Sequence, residues 1–156
     1  LDQKEYADNH TVVDHTVPHC HSEELYKGVY DDSSTGVFNG KIYVRPQAQK
    51  TTAFQANHSI LLSDRATVNA KPQLEIWADD VKCSHGATMG QLDETAVFYL
   101  RSRGIGDEEA RALMTYAFAA EVVERLPFEG LREYVEHHIA DKLNATPFNE
   151  ALVLDG

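Results

Sequence analysis

Between residues 29 and 92 the apolar residues never gather into a long run. They fall into clusters of two to four, among them Val37-Phe38, Ile42-Tyr43-Val44, Ile60-Leu61-Leu62 and Leu74 to Trp77. The later clusters recur at a near-constant distance: Ala53 to Glu75 and Ile60 to Lys82 are each 22 residues, and Thr67 to Thr88 is 21. A repeat of that size, holding about three short strands, predicts one coil of a parallel β-solenoid. Asn-Gly, Ser-Asp, Asp-Asp, His-Gly and Lys-Pro dipeptides separate the clusters and read as corners. Asn39-Gly40 is also a two-residue hairpin signal, so an antiparallel arrangement stays open at this level.

From Asp93 the spacing becomes helical. Asp93 suits the N-cap of a helix reaching about Arg103, and Gly104-Ile105-Gly106 breaks it. Asp107 is expected to cap a second helix with the stripe Ala110, Leu113, Met114, Ala117, Phe118 and Glu121. A third should run from Phe128 to Leu143, with Leu131, Tyr134, Val135, His138, Ile139 and Leu143 on one side. Strands first and helices second imply a mainly β fold with α, in segregated lobes. The expected division is a parallel β-helix core over 1–92, a helical domain over 93–144 and a tail over 145–156. The chain opens on Leu1 within polar sequence, which reads as the interior of a longer protein whose solenoid is truncated on its N-terminal side.

Composition narrows the partners. A net charge of −11 at pH 7 disfavours nucleic acid and anionic membrane surfaces. No apolar run exceeds five residues, against the roughly 20 that a spanning helix needs, so a soluble, cytoplasmic protein is expected. The two cysteines, Cys20 and Cys83, make no disulfide framework and read as reduced thiols.

Chemistry is suggested in one place. Cys83 and His85 lie two apart, so on an extended segment both side chains emerge on one face, with Ser84 opposite. Thiolate and imidazole suit zinc, iron or an iron–sulfur species, but two donors are too few for a closed site. A functional pair must borrow ligands, most naturally across a subunit interface. That requires both groups to project from the outer wall of a coil. The plain alternative is a core thiol beside a turn histidine. His10, His15, His19, Cys20 and His21 crowd another segment, yet their spacing matches no zinc pattern, and corner histidines are the simpler reading. His137 and His138 read as solvated. Asp79-Asp80 would point to opposite faces of a strand and reads as a corner. No Gly-rich phosphate loop, G-x-S-x-G elbow or H-E-x-x-H helix occurs, so any ATP hydrolysis belongs to another chain.

The run KPQLEIWADDVKCSHGATMGQLDETAVFYLRSRGI, followed by TYAFAAEVVE, resembles the C-terminal part of the SufB/SufD family of iron–sulfur cluster assembly scaffolds, on its SufD side. NGKIYV, ANHSILLS and ATVNAKPQLEI resemble that family's solenoid coils, and the likeness covers roughly residues 20 to 143. It implies a right-handed parallel β-helix followed by a small helical lobe. It implies a non-enzymatic scaffold subunit that works with a SufB-like paralogue, met through the β-helix, and a SufC-like ATPase, docked on the helical lobe. A homodimer without the paralogue is a further expectation. His85 then takes part in assembly at the interface with Cys83 beside it, and no cofactor is permanently bound; a transient cluster is shared with the partner. The segment from His10 to His21 matches no site of the family. Against this stand a solenoid-fold enzyme acting on a carbohydrate or acyl substrate, and a zinc-binding structural protein using His19, Cys20 and His21.

Overall fold

Six strands precede three helices: β1 (Tyr6–His15), β2 (His21–Tyr30), β3 (Thr35–Val44), β4 (Thr52–Leu61), β5 (Thr67–Ile76), β6 (Lys82–Gly90), α1 (Glu94–Arg101), α2 (Asp107–Val123) and α3 (Glu129–Leu143). The structure is a computed structural model that describes residues 1–143. The predicted tail over 145–156 lies outside the described residues. By internal contacts the chain divides into a unit spanning Leu1–Gly90 and a second that begins at Gln91.

All strand pairing is parallel. Odd strands form one sheet in the order β1-β3-β5, and even strands form the other as β2-β4-β6. Each coil therefore contributes one strand to each sheet, which makes a β-helix-like fold. Asn39-Gly40 sits in the middle of β3, so the hairpin alternative fails. The coil is longer than the apolar clusters suggest. Register partners Tyr6↔Thr35, His21↔Thr52, Thr35↔Thr67 and Thr52↔Lys82 are 29, 31, 32 and 30 residues apart, in place of about 22. Each coil has two long strands rather than three short ones. Corners at His19, Asp32 and Lys50 take positive φ, and backbone bonds such as His19 N–H to Gln49 O (2.9 Å) tie one corner to the next.

Alternation along β3 shows how the interior is built. Gly36, Phe38, Gly40, Ile42 and Val44 are buried, with partly exposed residues between them. One apolar cluster joins Ile42, Val44, Ala48, Ala53 and Ala78, with Val13, Leu74, Val81 and Cys83 packed against it. Tyr30 belongs to a second, with Ala66 and Val68. Between them β4 turns Gln55, Asn57 and Ser59 inward, all buried. The core is thus partly polar, a point that governs the site.

In the second unit Asp93 caps α1, its Oδ1 accepting from Thr95 N–H at 2.9 Å. Asp107 differs from expectation: Gly106 is the cap and makes no side-chain bond, so Asp107 starts the first turn, where its charge still suits the helix dipole. Arg111 on α2 grips Glu94 of α1 with two bonds of 2.9 and 2.8 Å and bonds Asp107 at 3.0 Å. The buried face of α2 holds Ala110, Thr115, Tyr116 and Val123, while Ala117 is exposed. On α3 Ala140 is buried, whereas Leu131 and Tyr134 face water. The buried faces differ from the predicted stripes, though Ala110 belongs to both the predicted and the observed face of α2. Among the described residues no helix is long and apolar enough to cross a membrane.

Candidate functional site: the inner face of the last strand

Cys83 and His85 both lie on β6, the outermost strand of its sheet, and share one face as two-residue spacing demands. The face is not the one expected. Cys83 pairs with Ala53 and His85 with Gln55, and both partners are buried. Register partners in a parallel ladder point the same way, so thiol and imidazole project toward the interior of the solenoid rather than from its outer wall. They stay reachable because β6 ends the stack: among the described strands none pairs beyond it. His85 is exposed and Cys83 partly so.

Their surroundings differ. Cys83 packs on the apolar cluster around Ala53, and burial pushes its thiol above the ordinary range, partly countered by a backbone hydrogen bond at Ala53. Burial thus favours the protonated thiol. His85 lies farther along the strand and is exposed. Among the described residues no three His, Cys, Asp or Glu side chains converge to hold a metal. Cys83 and His85 remain a pair of donors at an edge.

The histidine-rich segment disperses. His10 faces outward on β1, its Nε2 2.8 Å from Asp8 and 3.1 Å from Asn39 Nδ2. His15 turns inward and is buried against Ser22 Oγ at 2.9 Å. His19 occupies a left-handed corner, Cys20 Sγ donates to Val17 O, and His21 opens β2. These residues do not form the alternative zinc site. His138 stacks on Tyr134, ring centroids 6.4 Å apart. Asp79 and Asp80 occupy a bend, as expected, and Asp80 pairs with Lys50.

One feature beneath His85 escaped the sequence reading. Glu24, Gln55 and His85 occupy successive places in one inner column of the β2-β4-β6 sheet. They are separated by 31 and 30 residues, so a search near 22 passes over them. Alternating polarity in β4 at the true coil length is the signal that finds them.

The family model described as "SUF system FeS cluster assembly, SufBD core domain" matches residues 1–118. The chain is 45% identical over 141 residues to the iron–sulfur cluster assembly protein SufD of Escherichia coli, an alignment covering 90% of this chain and 33% of that protein. It is 43% identical over 129 residues to the iron–sulfur cluster assembly SufBD family protein slr0076 of Synechocystis, covering 83% of this chain and 28% of the relative. The chloroplastic protein ABCI7 of Arabidopsis thaliana is also 43% identical over 129 residues, covering 82% and 27%. The chain therefore spans about a third of the length of the relatives it matches.

Proposed function

Because the chain belongs to the SufBD core family, we propose that it serves as a SufD-like scaffold subunit in SUF iron–sulfur cluster assembly, not as an enzyme. The observation that carries the site is the placement of Cys83 and His85 on the inner face of an edge strand, donors on view but too few to close a coordination shell. A SufB-like paralogue seated on the open end of the β-helix supplies the missing ligands, and the cluster forms as cargo between the two chains. In that role His85 offers an imidazole nitrogen to iron. Cys83 contributes a thiolate once iron replaces its proton.

The helical unit receives a SufC-like ATPase. Support comes from its solvent-facing side: Phe98 on α1, Phe128, and Leu131 and Tyr134 on α3 are 46–70% exposed. ATP turnover belongs to that partner. The setting is cytoplasmic, and a homodimer through the exposed strand edges is the form without the paralogue.

The test is anaerobic co-purification of the full-length protein with its two partner subunits, read by visible absorbance of the assembled cluster. His85→Ala is expected to leave the complex intact by gel filtration while lowering cluster yield several-fold. Undiminished yield removes His85 from the site.

A further inference from the structure

Gln55, the register partner of His85, is buried at 2% exposure. Its carboxamide is held from below: Nε2 lies 3.4 Å from each carboxylate oxygen of Glu24, which in turn accepts from Thr11 Oγ1 at 3.4 Å. It also comes close to β3 of the opposite sheet. A Cβ at Gly40 would stand 2.5 Å from Nε2 and 2.7 Å from Cδ, so the missing side chain there makes the room the amide occupies. The other end of the amide is different. Oε1 is buried and has no hydrogen-bond partner, an uncommon state for a buried acceptor.

His85 has the next place in the same column, one ladder step from Gln55. Adjacent strands are about 4.8 Å apart, within reach of a hydrogen bond between an imidazole and an amide oxygen. We infer that Gln55 is a positioning residue for His85: the exposed ring, which does not bond Oε1 in this conformation, turns so that Oε1 accepts its N–H, which fixes both ring orientation and tautomer. The nitrogen that meets Gln55 must carry hydrogen, which leaves the other nitrogen bare and directed to the open end. Glu24 and Thr11 keep the amide from turning over, since only Nε2 can face a carboxylate. The inference rests on the assembly role of His85 for its consequence, though not for its geometry.

The experiment uses full-length protein labelled with 15N-histidine, free and in the complex. In the wild type the His85 ring should show a single tautomer, with nuclear Overhauser contacts to the Gln55 side chain. Gln55→Met keeps the length and removes the acceptor. It should convert the His85 signals to a mixture of tautomers and bring cluster yield within about twofold of His85→Ala. The double variant should yield no less than His85→Ala alone, because Gln55 acts through His85. A tautomer mixture in the wild type, an unchanged tautomer in Gln55→Met, or additive losses in the double variant overturns the inference. Should Gln55→Met not fold, the wild-type contacts decide, and their absence overturns it; a buried water on Oε1 gives that result. If His85→Ala leaves yield untouched while the tautomer follows Gln55, the assembly reading fails and the positioning stands. If His85→Ala lowers yield while Gln55→Met changes neither tautomer nor yield, the positioning fails alone.

Discussion

Replacing Gly40 by alanine tests whether the interior of the solenoid is packed as described. Glycine in a strand is ordinarily a weakness, and Gly→Ala at a compatible site stabilises by about 0.4–1 kcal/mol through the unfolded chain. Position 40 is not compatible. Its Cβ would meet Gln55 Nε2 at 2.5 Å, Phe38 Cζ at 2.6 Å and Gln55 Cδ at 2.7 Å. Ordinary contacts lie near 3.5–4.0 Å, so each neighbour must retreat by roughly 1 Å. The Gln55 arm can swing at the expense of its bond to Glu24. Phe38 cannot: it is 2% exposed and its ring is tilted against Tyr26 with centroids 4.6 Å apart. Overpacking of this kind costs about 1–3 kcal/mol, which leaves a net loss of roughly 1–2 kcal/mol after the unfolded-state gain. For a unit the size of Leu1–Gly90, that is a fall in Tm of roughly 5–15 °C by scanning fluorimetry. Gly86→Ala is the control, since nothing stands within 4 Å of its Cβ position, and its Tm should hold or rise slightly. Adding Phe38→Leu should make the Gly40→Ala loss smaller than in the parent, because the stiff neighbour is gone. Equal Tm values for Gly40→Ala and wild type would refute the packing and, with it, the seat assigned to Gln55.

The remaining expectations concern the thiol and the first helix. Alkylation of Cys83 by iodoacetamide, followed against pH in a Cys20→Ser background, should show a midpoint above the ordinary thiol value of about 8.5, because burial disfavours the thiolate. The sign for stability follows: the folded state holds that proton more tightly than the unfolded chain, so the contribution is complete below the unfolded value and declines as pH rises through the folded one. Urea midpoints of wild type and Cys83→Ala should therefore converge above pH 8.5, and a gap that widens with pH contradicts the burial. Asp93→Ala removes the oxygen that accepts from Thr95 N–H and should destabilise α1 by about 1 kcal/mol, seen as faster amide exchange over Glu94–Arg101.

How much of this could be read from residues alone depends on what each signal measures. Parallel strands followed by helices were legible, because apolar clusters at regular distances and the change of period near Asp93 are local properties. Coil length was not. Apolar clusters report the interior only where it is apolar, and here Gln55, Asn57 and Ser59 of β4 and Gly36 and Gly40 of β3 also face inward. Each interrupts a strand that is ten residues long, so one strand reads as two or three. Three of the five presumed corners, Asn39-Gly40, Lys71-Pro72 and His85-Gly86, fall inside strands, whereas Ser63-Asp64 and Asp79-Asp80 are true corners. Pro72 is tolerated because β5 is an edge strand. β1 and most of β2 precede residue 29 and passed unnoticed, since Asp8, His10, Asp14, Glu23 and Glu24 dilute their apolar content. The shared face of Cys83 and His85 follows from spacing and needs no fold; its direction is a matter of register, which spacing cannot contain.

That direction changes what the site is. A donor on the outer wall of a middle coil would be available to any passing ion, whereas an inward-facing donor is available only where the stack stops. Cys83 and His85 are inner-face residues at such a stop, in line with buried Ala53 and Gln55 of the coil before. The same stop leaves Met89 57% and Ile76 40% exposed on the last two strands, together with the unpaired backbone edges of β5 and β6. Apolar surface and open hydrogen-bonding groups both favour a covering chain. A chain that covers them also encloses the thiol and the imidazole, lowering the local dielectric around whatever they hold. On the function proposed above, the edge that would let this solenoid grow by another coil is the place where a second polypeptide would complete a half-built donor set. Closure and chemistry would then be one event.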